Sequence, residues 1–184
     1  ADEGGGANLY CYVINSPIDE RDILGLACSW AVGKCTRTLL IPACPKFIFV
    51  NGIPIPVPSM IQQEINSITM LHHDDTKAVA CKGKCFLGMC IGGIESVLVR
   101  GFFAKSISEA VREKVLDIIG KSTSNGWVEG EVRNSKETAG PCALKCVAEE
   151  RYNTVIQRME TLTPTRYKLT DYTCQSYALE IIAP

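Results

Sequence analysis

The spacing of apolar and polar positions changes several times along the chain, and each change marks a predicted element. Leu9 to Ile14 alternates, with Leu9, Cys11 and Val13 on one face, and its aromatic and β-branched content predicts a strand. The period then lengthens to that of a helix. Ser16 stands as an N-cap, Pro17 takes the first helical position, and Asp19 and Glu20 suit the positive end of the dipole. Ile23, Leu24, Ala27 and Ala31 form the apolar stripe. If this helix runs on, Cys28 and Cys35 face one neighbour.

Thr36 to Ile41 is predicted as the next strand. In Phe47 to Ile53, the Asn51-Gly52 pair signals a two-residue hairpin turn. The return arm alternates Ile53, Ile55 and Val57 with Pro54, Pro56 and Pro58. Alternate residues of a strand point their N–H groups to the same side, so the three apolar residues can pair while the prolines face outward. That describes an edge strand blocked against further pairing. Ser59 stands as the cap of a short helix from Met60, with Ile61, Ile65 and Ile68 at helical spacing, although Ile65 to Leu71 also fits a strand. Thr76 to Ala80 and Glu95 to Ala104 read as strands. Ile107 to Ile119 is the clearest helix: Ser106 and Glu109 make a capping box, Val111, Val115, Ile118 and Ile119 share a face, and Gly120 ends it. Gly126 to Val132 is a predicted strand. Cys142 to Met159, led by Pro141, is predicted as a helix, although its β-branched and aromatic content also allows a strand. Arg166 to Ile182 is predicted as one long strand or a hairpin. Mixed helices and antiparallel strands predict an α+β fold: disulfide-stapled sheet with two or three packed helices.

Composition narrows the setting. The 184 residues are 46% hydrophobic and 21% charged, with a net charge of −1, which is ordinary for a globular chain of one or two domains. Residues 1–8 are expected to form a flexible mature N-terminus, 9–92 an N-terminal α+β region and 93–184 a C-terminal one. The two regions make one domain unless Cys90-Ile91-Gly92-Gly93 is a hinge. Lys and Arg are not clustered beyond Lys82 with Lys84 and Arg166 with Lys168, so no nucleic-acid partner is expected. No apolar run reaches the ~20 residues needed for a transmembrane helix.

The cysteines say most about the compartment. Cys11, Cys28, Cys35, Cys44, Cys81, Cys85, Cys90, Cys142, Cys146 and Cys174 are an even set of ten. Such a set points to an oxidising compartment and up to five disulfides, with a connectivity that spacing does not reveal. Ala1-Asp2-Glu3-Gly4-Gly5-Gly6 reads as the mature end left after a leader is removed. A secreted protein is expected.

Candidate chemistry is sparse. His72-His73-Asp74-Asp75 places the two histidines of the chain beside two carboxylates. The cluster offers a general base or metal ligands, but neighbouring strand residues point to opposite faces and chelate poorly. An exposed polar turn is the plainer expectation. Cys81, Cys85 and Cys90 with His72 or His73 have the ligand types of a zinc site, but their spacing does not match a zinc ribbon, and disulfides are expected instead. No nucleophile elbow, phosphate loop or dinucleotide fingerprint occurs, so no cofactor is expected. Phe86 to Ile94 is apolar and glycine-rich. It reads as a buried connection pinned by Cys85 and Cys90, or, if exposed, as a membrane-active segment.

The dense cysteines and strand-helix-strand units resemble secreted cysteine-rich fungal effectors and killer toxins. That resemblance implies a protein that persists outside the cell and engages a protein or cell-surface target of a host or competitor. It carries no functional residue over. The alternatives are an extracellular hydrolase using His72, His73, Asp74 or Asp75, and a membrane-active toxin.

Overall fold

The computed structural model describes residues 28–38, 43–68, 72–135 and 141–184. The strand expected at Leu9 to Ile14, the start of the first helix and the tail at residues 1–8 lie outside the described residues. In chain order the elements are β1 (Trp30–Thr38), β2 (Phe47–Val50), β3 (Ile53–Pro56), α1 (Ser59–Ile68), β4 (His72–Cys81), β5 (Lys84–Phe86), β6 (Met89–Ile91), β7 (Ile94–Ala104), α2 (Ile107–Ile118), β8 (Val128–Ser135), β9 (Cys142–Val147), α3 (Glu149–Thr161), β10 (Arg166–Tyr167) and α4 (Cys174–Ile182).

The fold is α+β. Six strands make one antiparallel sheet in the order β10-β8-β7-β4-β1-β9, while β2-β3 and β5-β6 are separate hairpins. The sheet takes β1 and β4 from before Gly92-Gly93 and four strands from after it. The main core lies where Val32, Ala78 and Phe102 of the sheet meet Val111 and Val115 of α2, Val155 and Met159 of α3, and Tyr177 and Ile181 of α4. A smaller cluster joins Ala31, Val79, Cys81, Cys85 and Cys146. Strand alternation separates the two: Ala78 serves the main core and Val79 the small one.

Local cues are obeyed where the backbone conformation is special. Asn51 and Gly52 have φ of 49° and 79°, as a type I′ turn requires, and β2 pairs β3 across them. Ser106 Oγ accepts from the Glu109 amide at the start of α2, and Gly120 follows its end at φ 74°.

Four expectations change. The first helix does not reach Ala31, because Trp30–Thr38 pairs with β4 on one side and β9 on the other. Cys142 to Met159 divides into strand and helix. Cys142 to Val147 joins the sheet edge beside β1, and a helix with Glu149 and Glu150 in its first turn begins only after Ala148. Arg166 to Ile182 is mostly helix, not strand, since Cys174, Tyr177, Ala178 and Ile181 form the buried face of α4. His72 to Asp75 is no turn: it opens β4, in the interior of the sheet.

Disulfides join Cys35 to Cys142, Cys81 to Cys90 and Cys85 to Cys146, and Cys28 is disulfide-bonded as well. Cys44 and Cys174 are not disulfide-bonded, which corrects the expectation that all ten cysteines are bridged.

Candidate functional site

β4 runs between β1 and β7, and its first residues lie where β7 ends. Alternation along β4 divides the acidic pair. Asp74 turns toward Lys34 and Thr36 of β1, accepting from Lys34 Nζ at 3.1 Å and from Thr36 Oγ1 at 2.8 Å. Asp75 turns the other way. Its Oδ1 is 2.7 Å from His73 Nε2, and its Oδ2 is 3.9 Å from Arg37 Nε. His72 opens β4 opposite Thr38, and its side chain lies outside the described residues.

Gly101 makes this geometry possible. It sits opposite Asp75 in the β4–β7 register. A Cβ built there would stand 2.1 Å from Asp75 Oδ1 and 3.0 Å from His73 Nε2. Any side chain at 101 would drive the carboxylate off the imidazole. Phe103, two residues on, stacks on the His73 ring with centroids 4.2 Å apart. Arg37 and Arg133 approach the same Phe103 ring, at 5.7 and 4.8 Å from its centroid.

The third member comes from the far end of the chain. Cys174 is the first residue of α4, and it acts on His73, helping to hold the imidazole's proton. Helix α4 is fixed at both ends. At its start the Thr173 side chain accepts from the Ser176 amide while Ser176 Oγ accepts from the Thr173 amide. At its finish Arg151 donates to the carbonyls of Ile182 and Ala183, and Arg158 to those of Ile181 and Ala183. Side chains of α3 thus satisfy the last carbonyls of α4.

His73, Asp75 and Cys174 are 2%, 4% and 7% exposed, so the three interact in a medium that screens charge weakly. Burial alone would pull the His73 imidazolium down. The hydrogen bond that His73 donates to the Asp75 carboxylate, together with its interaction with Cys174, more than offsets this and holds it at about 9, against an ordinary 6.5. His73 therefore keeps its proton at neutral pH. Cys44, the other thiol, has no such setting: it hydrogen-bonds the Pro45 carbonyl and burial pushes it up.

A thiol, an imidazole and a carboxylate in series have the composition of an activated nucleophile. The positive end of α4 adds a favourable field at the sulfur. The sequence cluster contributes two members, His73 and Asp75. Asp74 belongs to a separate ion pair, and no group of three or more metal-ligating side chains gathers among the described residues. Cys174 was invisible among ten cysteines, yet its helix carried two signals: Thr173 and Ser176 at capping-box spacing, and the 174, 177, 178, 181 apolar stripe. Comparison with protein-family models, curated proteins and solved structures finds no match for this chain.

Proposed function

We propose that this protein is a secreted thiol hydrolase in which Cys174 is the nucleophile, His73 the proton carrier and Asp75 the group that orients the imidazole. The observation that carries this reading is the series Cys174–His73–Asp75, assembled from β4 and the start of α4. In the first half-reaction the sulfur, as a thiolate whose proton rests on His73, attacks the carbonyl carbon of an ester or amide, and the C–O or C–N bond breaks. His73 gives its proton to the departing oxygen or nitrogen, leaving a thioester. In the second, water attacks with His73 as base, and the acid leaves. The disulfides support action outside the cell.

Native alkylation with iodoacetamide, followed by peptide mapping, tests the site. Cys174 is expected to react well ahead of Cys44, and to slow by about a hundredfold in His73→Ala, the scale of a lost acid–base partner. Turnover in an ester and peptide panel is expected to vanish in Cys174→Ala. Equal labelling of Cys174 and Cys44, indifferent to His73, would defeat the proposal.

The burial of all three residues favours a second reading. Here the network only ties α4 to β4, and the chain is a secreted binding protein, effector- or toxin-like, acting without turnover. Saturable target binding by Cys174→Ala at wild-type affinity, with no turnover by either protein, is its expected result.

A further inference from the structure

The β5–β6 hairpin has an outer face that folding does not explain. Its register pairs Lys84 with Ile91, Cys85 with Cys90 and Phe86 with Met89. Alternation puts both cysteines on one side. There Cys90 bonds to Cys81 of β4, and Cys85 to Cys146 of β9. The other side carries Lys84, Phe86, Met89 and Ile91, and Leu87 stands at the tip. A solvent-facing side of a hairpin is ordinarily polar. Here Leu87 is 67% exposed, Met89 64%, Ile91 58% and nearby Ile94 50%. The sequence expectation of a buried connection is therefore corrected: the cysteines are buried or half-buried, and the apolar side chains are not.

The turn sharpens the point. Leu87 and Gly88 have φ of 49° and 77°, nearly those of Asn51 and Gly52 in the β2–β3 hairpin. This type I′ turn favours asparagine at its first position, and leucine is strained there. So position 87 holds a residue that suits neither the backbone nor water. The charge is one-sided as well. From Lys82 to Ile94 there are two lysines, both exposed, and no acidic residue.

We propose that the β5–β6 hairpin is a shallow anchor for anionic lipid bilayers. Leu87, Met89 and Ile91 enter the headgroup–acyl boundary, and Lys82 and Lys84 meet the phosphates above them. Binding of this type grows with apolar area inserted and with attraction to anionic headgroups. The two disulfides hold the hairpin in shape beforehand, so little order is lost on insertion. This inference does not depend on the Cys174 site.

The test is co-sedimentation of the full chain with vesicles of phosphatidylcholine, with and without phosphatidylglycerol. The wild type is expected to pellet with the mixed vesicles, and less so as salt is raised. Leu87→Asn with Met89→Ser is expected to weaken binding about tenfold or more, the scale of removing buried apolar side chains. Because asparagine suits the turn, Leu87→Asn alone is expected to melt no lower than wild type, which separates lost binding from lost folding. Lys82→Glu with Lys84→Glu is expected to abolish the preference for phosphatidylglycerol. No pelleting, pelleting unchanged by the Leu87 and Met89 changes, or binding indifferent to phosphatidylglycerol would overturn the proposal. So would concentration-dependent dimers in lipid-free sedimentation velocity that vanish in Leu87→Asn, since a second copy would then cover the face.

Discussion

His73 keeps a proton that an exposed imidazole would release near neutrality, and stability must follow that proton. Its folded value, about 9, lies above its ordinary 6.5, so the folded state binds the proton more tightly than the unfolded chain. The contribution is complete below the ordinary value and is lost as pH rises through about 9. A difference of this size corresponds to stability on the order of 3 kcal/mol. Denaturant midpoints are expected to fall between neutral and alkaline pH in the wild type, and to fall less in His73→Gln. Parallel pH profiles for the two proteins would show that His73 does not carry the linkage. The residues flanking the imidazole explain why this was only partly legible. His73 and Asp75 are two apart, and a strand puts such a pair on one face. The space for their contact comes from Gly101, on another strand.

At the scale of elements, α4 decides whether the site exists. It places Cys174 at its first turn, and its register depends on the cap made by Thr173 and Ser176. Thr173→Ala removes the side-chain acceptor and is expected to cost about 1 kcal/mol, read from the denaturation midpoint. It is also expected to slow native alkylation of Cys174, because the helix start loosens around the sulfur. A midpoint shift with unchanged alkylation would separate the cap from the site. The sequence around α4 suits a strand as well, through its β-branched and aromatic residues. The packing of Tyr177 and Ile181 into the main core chose the helix. Cys142 to Val147 went the opposite way. Helical spacing ran through it, but the open edge of β1 and disulfides to Cys35 and Cys85 made it a strand. Where an edge strand or a core face competes with a local preference, tertiary packing outweighs it.

For the whole molecule, the covalent staples and the sheet reinforce one another. Cys35 and Cys142 face each other across β1 and β9, joining residues 107 apart in sequence. The remaining Cys85–Cys146 bridge still constrains the same region, so the freed loop is shorter than the full separation. Cys35→Ala with Cys142→Ala is expected to cost about 3 kcal/mol in denaturant unfolding, with amide exchange rising first in β9. Uniform exchange across the sheet would show that β9 does not depend on this bridge. Among the described residues no helix is long and apolar enough to cross a membrane.

The sequence by itself determined what a few neighbouring residues can encode: the Asn51-Gly52 turn, the capped α2, the β7 strand, the α+β class and the abundance of disulfides. Each rests on local backbone geometry, side-chain period or redox chemistry, and none needs a distant partner. Only the tertiary structure decided which cysteines bridge, which do not, and that Cys174 acts on the His73 that Asp75 holds. Those facts depend on elements far apart in the chain being brought together by a shared sheet and core. Spacing along the sequence carries no record of such distances.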